Sequence, residues 1–563
     1  MSLLSKHLVT NRLNLIVFAV CAAFFLIIFR LFSLQGLNND KYKATSLNQR
    51  ENFFKQSLPR RGDIFLTDKN GGYFAAASTK KGFLAYINTK TLENPEVAYN
   101  KLNQVINIDK ENFFKISEKK GDPFEILKKK LSPEEAELIL SLNLKGVGIT
   151  EDEWRFYPQG AFLSQVLGFS SVISDIPEGK YGIEKFFDSV LSGNSKKEEK
   201  FFGLFSSIAR SFGGDLKDGE DIFLTIEPSV QNNAERELEE LFLLWQVKSG
   251  GILVLDPKNG KVLAMAAFPE FDPNKYFEEE NLNVFLNPFT EKIFEMGSVL
   301  KPITMAAAID SGSITPNTTY FDKGFVEING AKLRNFDEKP RGERNMTQVL
   351  EESLNTGAVF AMQKTGKKTF KEYLEKFGFF EKTGIDLPGE VNSNLSNLES
   401  GREVEFATAS FGQGIALTPM AVAKGLSVLA NGGNLPKFAL EEKNSQDNDE
   451  DQRRVIKEET AFLVSKMLVD VVDHTLAGGK AKIEGYSIAA KTGTAQIPDK
   501  KGGYGEEFLH SFFGYFPAYD PKVLIFMFLE RPIGAKYSSQ TLTDSFVNMT
   551  KFLISYYNIP PDR

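Results

Sequence analysis

Three short stretches carry residue types that could together perform acyl transfer: Ser298-Val299-Leu300-Lys301, Ser353-Leu354-Asn355 and Lys491-Thr492-Gly493-Thr494. Each pattern is short enough to recur by chance. Ser-x-x-Lys also occurs at Ser78–Lys81 and Ser117–Lys120, Ser-x-Asn at Ser46–Asn48 and Ser141–Asn143, and Lys-Thr-Gly at Lys364–Gly366 and Lys382–Gly384. Local context separates the candidates. Gly297 precedes Ser298, and Lys301-Pro302-Ile303-Thr304-Met305-Ala306-Ala307-Ala308 follows as a helix-forming run. Proline is tolerated near a helix start, where backbone donors lack partners anyway, so Pro302 predicts a helix beginning near Ser298. Positions i and i+3 share a helix face, which lets Ser298 and Lys301 meet. A helix N-terminus favours an alkoxide over an ammonium, and burial lowers a lysine pKa further. Lys301 can then act as base for the hydroxyl. Ser78 and Ser117 sit among lysines and polar residues, where a lysine keeps its proton.

Ser353 and Asn355 follow the helical run "MTQVLEE", and Asn355-Thr356-Gly357 reads as a helix stop before "AVFAMQ". Such a corner lets both side chains project into a cleft; a plain C-cap asparagine is the alternative. Lys491 follows the strand-like "YSIAA". A strand places Lys491 and Gly493 on one face and the two threonines on the other. Gly493 is expected to let a substrate backbone approach closely. Lys364 lies at a helix end and Lys382 in a turn.

The elements that must position these residues are legible around them. "GGILVLD" and "KVLAMAAF" are strand-like runs joined through Asp256–Gly260, a hairpin link. A long, largely helical region, roughly 274–480, follows. Three more strand-like runs come next, at Tyr486–Ala490, Ser511–Phe516 and Val523–Leu529. Their short links exclude parallel crossovers, so one mainly antiparallel five-stranded sheet is expected. Thr541–Tyr557 alternates in a helical manner and could cover a sheet face. Residues 443–454, "KNSQDNDEDQRR", read as a solvated loop. Upstream, 51–230 mixes short apolar runs with Lys/Glu-rich helical stretches such as Ser132–Ser141, suiting a spacer or partner-binding region. Leu13–Phe29 is nearly all apolar, and with Leu31 and Phe32 the run approaches the ~20 residues that span a bilayer. A cleaved signal has a core of only ~7–15 residues; here Phe24–Ile28 continue past Ala22-Ala23, so an uncleaved anchor is expected. Charge does not settle its orientation: Lys6 and Arg12 precede the span, and Arg30, Lys41 and Lys43 follow it.

Composition removes other chemistries. The 563 residues carry a net charge of −7, which argues against a broad phosphate-binding surface and hence against nucleic acid. One cysteine, Cys21, allows neither an internal disulfide nor a cysteine-type zinc site. Three histidines, His7, His474 and His510, are too few for a histidine-rich metal centre. A Ser-His-Asp triad would have only His474 or His510 as base.

In order and context, the three motifs resemble the signature of the penicillin-binding proteins, and specifically class B penicillin-binding proteins, the FtsI-like and penicillin-binding protein 2 family. "DPKNGKVLAMAAFPEFDPN", "FATASFGQGIALTP", "KTGTAQ" and "HSFFGYFPAYDP" resemble further parts of its catalytic domain. "PRRGDIFLTDKNG", "RFYPQG" and "YGIEKFFDSVLSG" resemble its non-catalytic pedestal. The resemblance thins at about 90–145. Met296 departs from it, since the family usually has proline before Gly-Ser. The implied fold is α/β (α+β): the sheet with its helices, an elongated mixed pedestal and one transmembrane helix. The implied division is a cytoplasmic tail (1–12), the span (13–32), a stalk (33–50), a pedestal of dimerisation type (51–230) and a transpeptidase domain (231–563), its body outside the cytoplasm.

The resemblance also implies roles. Ser298 attacks the carbonyl between two D-Ala residues of a peptidoglycan stem peptide, and Lys301 takes its proton. Ser353 relays a proton to the leaving D-Ala, while Asn355 orients the substrate amide and Lys301. Lys491, Thr492 and Thr494, with Gly493 among them, bind the terminal carboxylate. Backbone N–H groups of Ser298 and Thr494 form the oxyanion hole. β-Lactams trap Ser298. No cofactor or metal is implied. The implied partner is a SEDS-type membrane glycosyltransferase, FtsW or RodA, with other divisome or elongasome proteins. "KTGTAQ" and the layout favour division over elongation. A D,D-carboxypeptidase or β-lactamase shares the motifs, but the anchor and pedestal speak against both. A scaffold or β-lactam sensor with a dead site conflicts with the full set of motif side chains.

Overall fold

The five strand-like runs form one sheet. In the computed structural model, which describes residues 17, 18, 20–30, 59–119, 124–173, 176–193, 217–446, 452–499 and 502–563, these strands are β1 (Ser249–Leu255), β2 (Val262–Phe268), β3 (Ala489–Pro498), β4 (Tyr504–Phe516) and β5 (Val523–Glu530). Their spatial order is β3-β4-β5-β1-β2, and every pairing is antiparallel. The central strands β1 and β5 are buried at every residue, so both sheet faces are covered. Helix α1 (Pro228–Trp245) packs on β1 and β2 beside α5 (Thr543–Tyr557). Gly514 of β4 makes room there for Phe546, whose ring stacks at 4.5 Å on Phe512. The expected covering helix is therefore present. The sheet and helices are the α/β architecture expected.

Two differences from the expectation bear on the site. The strand expected at Tyr486–Ala490 begins at Ala489 and runs to Pro498, so Lys491–Thr494 lies inside the strand rather than after it. Alternation of small or buried residues with Thr492, Thr494 and Gln496 sustains a strand period of two through the motif. The second difference is in 274–480. It holds α2 (Lys301–Asp310), α3 (Met346–Glu351), α4 (Asn355–Thr365) and further helices, but 319–345 is not helical. Thr319–Asp322 pairs with Gly342–Asn345, and Phe325–Ile328 pairs with Ala331–Arg334. Asn329 and Gly330, at φ +50° and +79°, make the tight turn of the second ribbon. Both positions need the left-handed region, which is why an Asn-Gly pair stands there.

The described chain divides into two units, one holding 79–154 and a larger one holding 61–78, 155–193 and 218–563. In the first, the C-terminal half of strand Tyr73–Ile87 pairs with Glu125–Leu131, and helix Pro133–Ser141 starts at a Ser132–Glu135 capping box. The larger unit holds the sheet, and within its 61–196 portion a buried ion network: Glu184, fully buried, accepts from Arg61 and Arg155 and from the Tyr157 hydroxyl. Burial opposes ionisation of Glu184, but the two guanidinium groups hold its pKa below the ordinary carboxylate range.

Of the expected span, residues 17, 18 and 20–30 are described; they are helical and expose Phe18, Phe24, Phe25 and Leu26. Among the described residues no helix is long and apolar enough to cross a membrane. The tail (1–12) and the stalk (33–50) lie outside the described residues.

Candidate active site

Ser298 sits where Pro302 places it. Gly297–Leu300 form one 3₁₀ turn, and α2 continues from Lys301 with Pro302 in its first turn. Gly297 has φ +65°, and a Cβ there would lie 2.9 Å from the Thr494 carbonyl oxygen. Its amide donates to Gly412 O at 3.0 Å. Met296, the departure from the family pattern, is fully buried, and its carbonyl accepts from the Ser511 hydroxyl at 2.8 Å. The turn that carries Ser298 is thus tied to strand β4 and to the 406–419 stretch.

Lys301 is fully buried. Its Nζ donates to the Ser353 carbonyl at 2.5 Å and to the Ser353 hydroxyl at 3.2 Å. Burial, with the charge of Lys491 adding to it, lowers the Lys301 pKa well below that of a free lysine. A lysine so placed gives up its proton more readily than a free one, as a base requires. Ser353 itself adopts φ +53°, a left-handed turn that presents both its oxygens to Lys301. Asn355 is not a helix stop: α3 ends at Glu351, the corner is Glu352–Leu354, and Asn355 opens α4. The corner does bring it to the cleft, where its Nδ2 donates to Arg334 O at 2.8 Å.

On β3 the alternation is as expected, Lys491 and Gly493 buried and Thr492 and Thr494 half-buried on the other face. Gly493 has a close protein neighbour that the sequence did not announce. A Cβ there would lie 2.6 Å from Met296 O and 3.0 Å from Val299 N, so the missing side chain admits the turn that carries Ser298. Lys491 is 3% exposed; its Nζ donates to Thr492 O at 3.1 Å, and burial pushes its pKa down to about 7. The Thr494 hydroxyl accepts from Ser538 N at 3.0 Å, which turns its own proton outward. Ser298, Ser353, Asn355, Thr492 and Thr494 line one cleft of about 1140 Å³, as do Arg334, Phe336, Glu506, Glu507 and Tyr537. The two lysines lie behind this lining.

The rival candidates fall elsewhere. Lys364 and Lys382 are exposed. The Ser117 hydroxyl donates to Phe114 O at the end of its own helix. His474 is exposed and bonded to Glu351. His510 is fully buried, its Nε2 donating to Lys536 O and its Nδ1 paired with the Thr541 hydroxyl. Burial lowers its pKa to about 4 and keeps it neutral. Both imidazoles are committed away from Ser298. Sequence reasoning missed Asp322, Asn335 and Thr356, which surround the Ser353 corner; the Asn329-Gly330 turn was the available signal for the ribbons that carry two of them.

The family description "Penicillin binding protein transpeptidase domain" matches residues 250–549, more than half of the chain. The chain belongs to the penicillin-binding protein transpeptidases. A second description, "Penicillin-binding Protein dimerisation domain", matches residues 56–203. Stage V sporulation protein D of Bacillus subtilis is 34% identical over 84% of this chain and 75% of its own length. The peptidoglycan D,D-transpeptidase FtsI of Buchnera aphidicola is 27% identical over 98% of this chain and 96% of its own. Among solved structures, penicillin-binding protein 3 of Mycobacterium tuberculosis complexed with aztreonam superposes with a TM-score of 0.68 at 22% identity, covering 90% of this chain and 98% of that one. The expected family, catalytic fold and transpeptidase class are borne out.

Proposed function

We propose that this transpeptidase cross-links peptidoglycan stem peptides through a serine acyl-enzyme, in septal wall synthesis, from an anchor at residues 13–32 with residues 33–563 outside the cytoplasm. The observation that carries the reading is the placement of a buried, pKa-lowered Lys301 one helical turn from Ser298 and in hydrogen bond with Ser353. Ser298 Oγ attacks the carbonyl between the two D-Ala residues, and Lys301 accepts the hydroxyl proton. Ser353 passes a proton to the departing D-Ala amine. An amine of a second stem then attacks the ester, forming the cross-link and restoring the serine. Backbone N–H groups of Ser298 and Thr494 hold the developing oxyanion, which in acyl transfer contributes much of the rate. Thr492 and Thr494 donate directly to the terminal carboxylate, with Lys491 supplying charge from behind, and Asn355 orients the donor's amide.

The relatives named as D,D-transpeptidases support this chemistry, and the FtsI name among them supports the septal role. A SEDS-type glycosyltransferase, FtsW or RodA, would supply the glycan strands. The pedestal at 51–230 and the catalytic domain at 231–563 divide support from chemistry. Fluorescent penicillin should label purified protein covalently at Ser298. Ser298→Ala should abolish labelling while Ser78→Ala and Ser117→Ala retain it. Label surviving in folded Ser298→Ala would overturn the mechanism.

A further inference from the structure

We propose that the double ribbon at 319–345 positions the Ser353 corner, with Asp322 and Asn335 acting through Thr356 as positioning residues for the oxygen that receives Lys301. The inference rests on the transpeptidase reading. It starts from the backbone of Ser353, a non-glycine residue at φ +53°. Such a conformation persists only where the surroundings over-determine it. Here the restraint on both sides comes from 319–345. Before Ser353, Glu352 accepts from Arg341 Nε at 2.8 Å and Arg344 Nε at 2.6 Å. After it, Asn355 Nδ2 donates to Arg334 O at 2.8 Å, and Thr356 N donates to Asn335 Oδ1 at 3.2 Å. The Thr356 hydroxyl donates to Asp322 Oδ1 at 2.7 Å and accepts from the Tyr320 hydroxyl at 3.0 Å.

Asp322 is fully buried and Asn335 is 2% exposed. Asp322 also accepts from Gly324 N at 2.9 Å and from Asn335 Nδ2 at 3.0 Å. A fully satisfied buried polar network of this kind fixes one arrangement, because each half-made alternative leaves a buried polar group unpaired. The arrangement it fixes directs the Ser353 carbonyl and hydroxyl at Lys301 Nζ. Ser353 touches the proton path; Asp322 and Asn335 do not, and act only by holding it. Lys491, on β3, is the charged group that faces Lys301.

Thr356→Val removes the hydroxyl and keeps the shape; Thr356→Ser keeps the hydroxyl. With full-length protein and fluorescent penicillin, Thr356→Val should acylate about 10- to 100-fold more slowly, the scale of an ångström-sized misplacement. Thr356→Ser should stay within about 3-fold. Loosening the Ser353 carbonyl also withdraws an acceptor from the ammonium form of Lys301, so the acid limb of the rate-against-pH curve should move to lower pH in Thr356→Val. A merely structural loss would scale the curve without moving it. Asp322→Asn, which turns an acceptor into a donor beside Asn335, should show the same shift. Equal rates in Thr356→Val and wild type, or equal losses in Thr356→Val and Thr356→Ser, or an unmoved limb in both Thr356→Val and Asp322→Asn, would overturn the inference. Wild type that takes no label would instead overturn the transpeptidase reading beneath it.

Discussion

Gly493→Ala should disable acylation while leaving the sheet standing. An added Cβ would lie 2.6 Å from Met296 O, and ordinary contact begins near 3.4 Å, so that carbonyl must retreat by 0.8 Å, and Val299 N by 0.4 Å from 3.0 Å. Both atoms belong to backbone on either side of Ser298, so the nucleophile moves with them. The third neighbour, Ser511 Oγ at 2.4 Å from the new carbon, is a hydroxyl that donates to the same Met296 oxygen. Displacing it leaves a buried pair unmade, at about 1–3 kcal/mol. Overpacking adds about 1–3 kcal/mol. A shift of this size at a nucleophile costs about 100-fold in rate. Stopped-flow acylation by a chromogenic cephalosporin, read beside the thermal midpoint, should therefore show a rate loss of about 100-fold with a lowered but cooperative melt. Acylation within 3-fold of wild type would refute the claim that this glycine exists to admit the nucleophile's turn.

Lys491→Ala should lower acylation about 30- to several-thousand-fold, the cost of truncating one partner of a buried charged pair, whereas the exposed Lys364→Ala and Lys382→Ala should be nearly neutral; a donor ending in D-alaninamide that reacted as well as the acid would sink the carboxylate role. The same variant removes a charge that depresses the Lys301 pKa, so its remaining acid limb should move to higher pH. His510, held near 4 against an unfolded value near 6.5, contributes stability that is complete above about pH 6.5 and is lost as pH falls towards 4, by up to about 3 kcal/mol; thermal melts of His510→Gln should show a shallower loss over that window. His510→Gln and His474→Gln should each acylate within a few-fold of wild type, and a loss near 10³-fold in either folded variant would favour a histidine base. Protease added to spheroplasts should digest the body, and protection until lysis would reverse the proposed topology.

The positions of Ser298, Lys301 and the Lys491–Thr494 strand are legible in the sequence because they follow from local rules. Pro302 fixes a helix start three residues from Ser298, and period-two alternation fixes which side of β3 the threonines occupy. The ribbons at 319–345 are not legible as strands, because four-residue strands paired two by two bury at most one side chain in four, as in Thr319–Asp322, and give no alternating apolar signal. Their Asn329-Gly330 turn was a legible cue. The asparagine at 355 was misplaced by one element, because a helix end and the start of the next helix share the same small polar residues. What Gly493 faces could not be read from the chain, since the turn that fills its missing side chain lies about 195 residues earlier in the sequence.

The size of the cleft has a consequence for inhibitor chemistry. At about 1140 Å³ it exceeds the ~300–1,000 Å³ that commonly houses one drug-sized molecule. Under the proposed mechanism a bicyclic β-lactam acylating Ser298 would lie beside Thr492 and Thr494, which line the same cleft. Arg334, Phe336, Glu506, Glu507 and Tyr537 line the same cleft and would form an outer wall beyond such a molecule. A lactam extended by an arm carrying an aromatic ring and a charge of either sign could gain residence time there without altering its warhead. Substitutions that reshape this outer wall would weaken the arm and spare the reacting end, so the two halves of such a molecule would meet resistance along separate routes.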